Sequence, residues 1–145
     1  MYKPHILVVR GVTSKIGTNF YYRLSRRSHE ARFAALKLRT KAFALRVIRL
    51  YRSLPRTAEA RILGTQLLRS STSIGANYRS ACRGRSKAEF VAKLGIVLEE
   101  ADETVFWLEL FQEGNIFPAG KLYSLVQEAN ELVAIFVTSV RTAKG

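Results

Sequence analysis

The sequence predicts an all-α fold, an antiparallel up-and-down four-helix bundle, and three observations lead there. Apolar residues recur at steps of three and four along four stretches. The first three stretches stop at a proline or glycine, and no run keeps the period of two that marks a half-buried strand. Short links between such stretches place neighbouring helices antiparallel. A chain of 145 residues has room for one domain, and 48% hydrophobic with 24% charged residues is the balance of a globular protein. No apolar run approaches the roughly 18 residues of a membrane-spanning helix, so no membrane partner is expected. The run Ile6–Val9 is also too short for a signal-peptide core.

The first helix is read from Glu30 onward. Phe33, Leu36, Thr40, Phe43, Val47, Leu50 and Leu54 form one stripe in which Thr40 is the only polar member. Arg32, Arg39 and Arg46 recur every seven residues along an edge of it, and Lys37, Lys41, Arg49, Arg52 and Arg56 occupy the opposite face. Pro55 ends the helix, because the residue before a proline avoids the α region. Thr57 offers a hydroxyl cap for the second helix, which runs through Leu63, Leu67, Ile74 and Tyr78. Its middle, RSSTSIGANY, is poor in helix formers and needs tertiary packing to stay helical. Gly75 and Ala76 are read as small residues that admit a neighbouring helix, and Gly84 stops the segment.

Ser86-Lys87-Ala88-Glu89 matches the capping box, in which serine and glutamate satisfy each other's backbone N–H groups. The third helix then buries Phe90, Leu94, Val97, Ala101, Val105, Leu108 and Phe111, and Gly114 closes it. The fourth begins near Pro118, which a first turn accepts, and buries Leu122, Leu125, Ala129, Leu132, Phe136 and Val140.

Charge is distributed unevenly. Residues 1–56 hold 14 Lys/Arg against one acid, Glu30, while residues 57–145 hold 10 of each sign, so the whole excess of +13 sits at the N-terminal end. Such asymmetry points to a polyanion, nucleic acid or an acidic partner surface; the alternative is a solvated helix face with a solubilising tail. Residues 1–29 contain no acid and carry six Lys/Arg, with the aromatic-basic run NFYYRLSRR. They are expected to be a flexible basic tail preceding a bundle domain at 30–145. Their composition also resembles an organelle transit peptide, or an over-extended start, although Met1 is the only methionine. One cysteine, Cys82, fits a reducing cytoplasm, and a cytoplasmic location is expected. Cys82 is read as a small apolar side chain rather than a nucleophile, since the only histidines, His5 and His29, lie in the tail.

The stretch Gln66 to Phe111, QLLRSSTSIGANYRSACRGRSKAEFVAKLGIVLEEADETVFWLELF, resembles the four-helix-bundle proteins related to the 23S rRNA intervening-sequence protein. The matching residues are Gln66, Arg69, Ser73-Ile74, Asn77-Tyr78-Arg79, Arg85-Ser86-Lys87, Phe90, the run Glu99 to Thr104, and Trp107 to Leu110. The chain departs from the pattern at Ser80, where members often carry an acid, and in its leading tail. The resemblance implies a non-catalytic bundle that assembles into a ring-shaped homo-oligomer, commonly a pentamer. More distantly, it implies kinship with the basic barrel-shaped accessory proteins of retroelement reverse transcriptases. The family's name records where some of its genes lie and is weak support for binding that RNA.

Arg69, Ser73 and Asn77 are spaced four apart and so stack on one face. They are expected to form, with Gln66, a hydrogen-bonded seam against Glu100 and Glu103, in which a buried Arg–Glu contact fixes register; a recognition strip is the alternative. Phe106 and Trp107 are expected in core or subunit contact rather than a partner pocket. Glu99-Glu100-x-x-Glu103, followed after 24 residues by Glu128-x-x-Glu131, approximates the carboxylate pattern of Mg²⁺-dependent all-α nucleotide pyrophosphohydrolases. The final aspartate of that pattern is absent, and a di-iron bundle would need a Glu-x-x-His that is also absent. No enzyme activity, metal or cofactor is therefore expected. The expected function is a non-catalytic oligomeric adaptor that contacts RNA or another polyanion by charge through Arg32, Arg39, Arg46, Arg49 and Arg52, with a protein-interaction module lacking nucleic acid as the alternative. Tyr51, Tyr78, Trp107 and Phe136 are taken to lie beyond a narrow stripe and to ask for burial by further subunits.

Overall fold

Four helices make up the described residues in the computed structural model, which describes the backbone from residue 15 and side chains from residue 27. They are α1 (Lys15–Ser53), α2 (Ala58–Ala81), α3 (Lys87–Glu113) and α4 (Ala119–Lys144), with no strand among the described residues. Each helix packs on the next, and α1 closes on α4 through the slightest of the four contacts. Facing residues give the directions. Tyr51 of α1 and Leu54 just past its end meet Gly64 of α2 while Thr40 meets Gly75, so these two helices are antiparallel. Arg39 reaches Glu128 and Arg46 reaches Ser124, so α1 and α4 are antiparallel as well.

The four predicted stripes form one core. Phe43, Val47, Leu67, Ile74, Leu94, Val97, Leu108, Phe111, Leu122, Leu132 and Phe136 are essentially inaccessible to solvent. Two aromatic contacts cross the diagonals. Phe33 of α1 meets Phe90 of α3 edge-on at 6.1 Å, and Tyr78 of α2 meets Phe136 of α4 at 5.5 Å. Tyr78 and Phe136 are thus buried within the chain, which corrects the expectation that they await a second subunit. A stripe wide enough to reach the diagonal helix already has its burial.

The helix ends follow their local chemistry. Thr57 Oγ1 accepts from the Ala60 N–H at 3.3 Å, and Ser86 Oγ accepts from the Glu89 N–H at 3.1 Å. The return half of the capping box is displaced by one residue, because the Glu89 carboxylate accepts from the Arg85 N–H at 2.9 Å. That bond holds the Glu89 carboxyl below its ordinary range, with Arg85 and Lys93 adding to the effect. Gly114 caps α3, and Asn115 turns the chain with a left-handed φ of 52°. Pro118 sits one residue before α4 rather than within its first turn.

Two helix contacts depend on missing side chains. A Cβ at Gly75 would lie 3.3 Å from Thr40 Oγ1, as expected of a close approach, but Ala76 points to solvent and plays no part in it. Gly64 is the tighter position, since a Cβ there would stand 2.6 Å from Leu54 Cδ1.

The first helix starts earlier than its pattern suggested. It is continuous from Lys15, so the boundary drawn at 29/30 falls inside a helix. The part of the tail before residue 15, with His5, lies outside the described residues. No described helix is long and apolar enough to cross a membrane.

Candidate functional site

Polar side chains concentrate along two seams of the bundle, and each seam is closed by one arginine. On the α2/α3 seam the Arg69 Nη1 donates to both oxygens of Glu100 at 3.2 Å, and Nη2 reaches Glu103. Gln66 Oε1 accepts from Arg69 Nε at 3.4 Å, and Trp107 Nε1 donates to Glu103 at 3.0 Å. Arg69 holds the Glu103 carboxyl below its ordinary range, assisted by Trp107. Beneath this layer Thr104 Oγ1 donates to Ser70 Oγ at 2.9 Å, both residues fully buried.

Gln66, Arg69, Glu100 and Glu103 meet on this seam, and the arrangement differs from the expected one in two respects. Its arginine is not buried: the Arg69 side chain is 48% exposed, against 17% for Glu100. A long side chain lying over a helix groove keeps its charged head wet, so the buried contact is made by Ser70 and Thr104 below it. Ser73 and Asn77 also do not reach the acids. Asn77 Nδ2 donates to the Ser73 carbonyl at 2.9 Å, within α2.

The α1/α4 seam repeats the device. Arg39 Nε donates to Glu128 at 2.7 Å, and its Nη2 reaches both Glu128 and Glu131. These carboxylates raise the Arg39 pKa further above its ordinary value. Of the five arginines expected on a polyanion surface, Arg39 is thus already paired. One edge position further, Arg46 Nη2 donates at 2.9 Å to the hydroxyl of Ser124, not to a carboxylate. Arg49 and Arg52 are exposed on the last turns of α1, and Arg32 is exposed nearer its start. The repeated Glu-x-x-Glu spacing in α3 and α4 was the signal for both arginine clamps. In one sequence it is indistinguishable from a metal motif. Its two halves face different arginines, and among the described residues no three acids, cysteines or histidines gather as a metal cluster.

Beside Arg46 the seam opens into a groove of about 320 Å³, lined by Arg46, Arg49, Ser53, Phe117, Lys121 and Ser124 over Leu50 and Leu125. Sequence reasoning missed Phe117 and Lys121, because α4 residues join α1 only through the fold. A second groove of about 250 Å³ lies at the α1–α2 link, between Tyr51, Leu54, Pro55, Arg56 and Arg61. Cys82 is half-buried rather than buried, and burial pushes its thiol upward, away from the thiolate a nucleophile requires. Phe106 is 49% exposed and packs edge-on against the half-buried Trp107 at 4.9 Å.

Residues 36–138 match the model of the 23S rRNA-intervening sequence protein family. The chain belongs to that family. It is also similar to a crystal structure of a protein with unknown function from the S23 ribosomal protein family of Bacteroides thetaiotaomicron VPI-5482. The two share 33% sequence identity with a TM-score of 0.70, over 75% of this chain and 97% of that one. No curated protein matches the chain. Within this intervening-sequence family member, the matched segment holds both arginine clamps and the groove, and it excludes Arg32.

Proposed function

We propose that the protein is a non-catalytic, self-associating adaptor whose basic surface contacts RNA or another polyanion by charge. One observation carries this reading. Arg39 and Arg69 are each neutralised by two glutamates, whereas among the described residues no carboxylate comes within ion-pair distance of Arg32, Arg46, Arg49 or Arg52. Unneutralised cations on a rigid helix, in the segment that holds the whole net charge, suit a phosphate backbone and do not read bases.

Self-association has its own support. Ala31, Ala35, Leu38, Ala42 and Leu45 are all exposed, Leu38 by 70%, at alternating steps of four and three. Such a stripe is the seam a second helix covers. A homo-oligomer of up-and-down bundles closed into a ring, with five subunits on the family resemblance, would cover it and repeat the basic surface, so that modest contacts add by multivalency. A second reading uses the same arginines between copies. The outer face of α3 exposes Glu99, Asp102, Glu109 and Glu113, a complement to α1 that would need no nucleic acid.

Two measurements test the proposal. Light scattering should give a mass that is a multiple of 16.4 kDa; the single-chain mass at all micromolar concentrations overturns self-association. Unrelated single-stranded RNAs of equal length should bind alike and weaken with salt, with a log–log slope of about −0.7 per phosphate neutralised. Arg32→Gln, Arg49→Gln and Arg52→Gln together should flatten that slope, and deletion of residues 1–14 separates the contribution of the leading segment. Binding unchanged by salt, or absent at low salt, overturns the polyanion reading, and the second result favours arginine–acid contacts between copies.

A further inference from the structure

The groove between the end of α1 and the start of α4 is acid-free and aromatic on one wall, and it differs from the groove at the α1–α2 link in gathering three cations, from two helices, rather than two. Three cations line it, Arg46, Arg49 and Lys121, together with the hydroxyls of Ser53 and Ser124, and none of its lining residues is acidic. The first turn of α4 carries no acid either, and its N-terminal N–H groups have no side-chain cap, so the helix end adds partial charge of the same sign. Among the described residues the partner of Arg46 is a serine hydroxyl, which a phosphate oxygen would replace with a charge-assisted bond. Phe117 forms the apolar wall, and Lys121 Nζ stands 5.9 Å from its ring centroid. Leu50 and Leu125 floor the groove. The groove, of about 320 Å³, is shallow and open to solvent along its length.

We infer that this groove is a binding site for one nucleotide unit of a single-stranded RNA. The phosphate is held by Arg46, Arg49 and Lys121, which turns to it from its place over the Phe117 ring, and the unpaired base takes that ring face. This rests on the polyanion reading and narrows it: charge alone would bind a duplex as well as a single strand, whereas a ring wall favours a base that is free to stack. The inference also assigns roles to two residues, Phe117 and Lys121, that lie outside the basic segment altogether.

The test is fluorescence anisotropy with the full chain, using a labelled single-stranded oligoadenylate and an RNA duplex of equal phosphate number. Lys121→Gln changes only an exposed side chain, and Phe117→Leu keeps an apolar group against the core; melting temperatures of both confirm folding. Arg32→Gln is the control on α1 outside the groove. Phe117→Leu should weaken the single strand about fivefold or more and leave the duplex unchanged. Lys121→Gln should weaken the single strand and reduce the magnitude of its salt slope by about 0.7. Adenosine monophosphate should compete better than adenosine or inorganic phosphate. If RNA binds but both groove variants match the wild type while Arg32→Gln weakens it, the groove assignment is overturned and the charge reading stands. If no RNA binds at low salt, both fall. If polyglutamate binds instead and Lys121→Gln abolishes it, the groove takes a carboxylate partner and the nucleotide assignment is wrong.

Discussion

The α2/α3 and α1/α4 seams use the same clamp, one arginine across a Glu-x-x-Glu pair, yet they are built differently underneath. Below Arg69 the helices meet through a buried hydroxyl pair, Ser70 and Thr104, that links one helix to the other. Below Arg39 the buried Thr40 bonds only to carbonyls of its own helix, Leu36 at 2.9 Å and Lys37 at 3.2 Å. Beyond the clamp, Trp107 seals the first seam, whereas the second opens at Arg46 into the cationic groove. One seam is closed by polar contacts at two depths, and the other keeps a single layer and leaves charge available. Where a bundle spends its arginines on its own acids, it has none to offer a partner.

The largest effect should come from the core that both seams share. Phe136→Ala removes the fully buried ring against Tyr78 and should cost about 3–5 kcal/mol, read as a lower denaturant midpoint with both seams lost in one transition. Separate transitions for α1 and for the α2/α3 pair would show that the seams do not share a cooperative core.

The hydroxyls give the sharpest contrast. Thr104→Val strips the cross-helix bond from Ser70, whose hydroxyl still reaches the Leu67 carbonyl at 3.3 Å, and should cost about 1 kcal/mol. Thr40→Val removes only bonds to carbonyls already satisfied by the helix, and should cost about 0.5 kcal/mol or less. Both threonines are fully buried, so burial cannot produce the difference. Equal losses in chemical denaturation would erase the distinction between the seams.

The clamps themselves should matter least. Arg69→Ala and Arg39→Ala remove partly exposed pairs and should each cost about 1 kcal/mol or less. Acid separates the pair contribution from packing. Glu103 is held below its ordinary range by Arg69, so its stabilisation is present above about pH 4.3 and is lost as pH falls through its lower folded value. Melting temperature should therefore fall more steeply below pH 4.3 in the wild type than in Glu103→Gln. Parallel curves would mean that Arg69 acts through its hydrocarbon stem.

The helical stripes were legible residue by residue, because periodicity records which face a helix buries. Every core position expected in α3 is buried, and in α4 only Val140 is left partly open. The early start of α1 was not legible, since NFYYRLSRR keeps no apolar stripe that marks it as helix. Gly64 gave no sign that it faces Leu54 and Tyr51, because a glycine inside a helix pattern does not say what approaches it.

The amino-acid order alone determined the helix count, the caps at Thr57 and Ser86, the family resemblance, and the concentration of charge in residues 1–56. These depend on neighbours within a turn or two, or on composition, and both are written along the chain. Which arginines are neutralised was decided by tertiary structure. Arg39 and Arg46 lie seven residues apart on the same helix edge. They differ only because antiparallel packing sets one opposite Glu128 and Glu131 and the other opposite Ser124. Charge becomes a surface property once partners are assigned, and that assignment is a matter of register between distant segments.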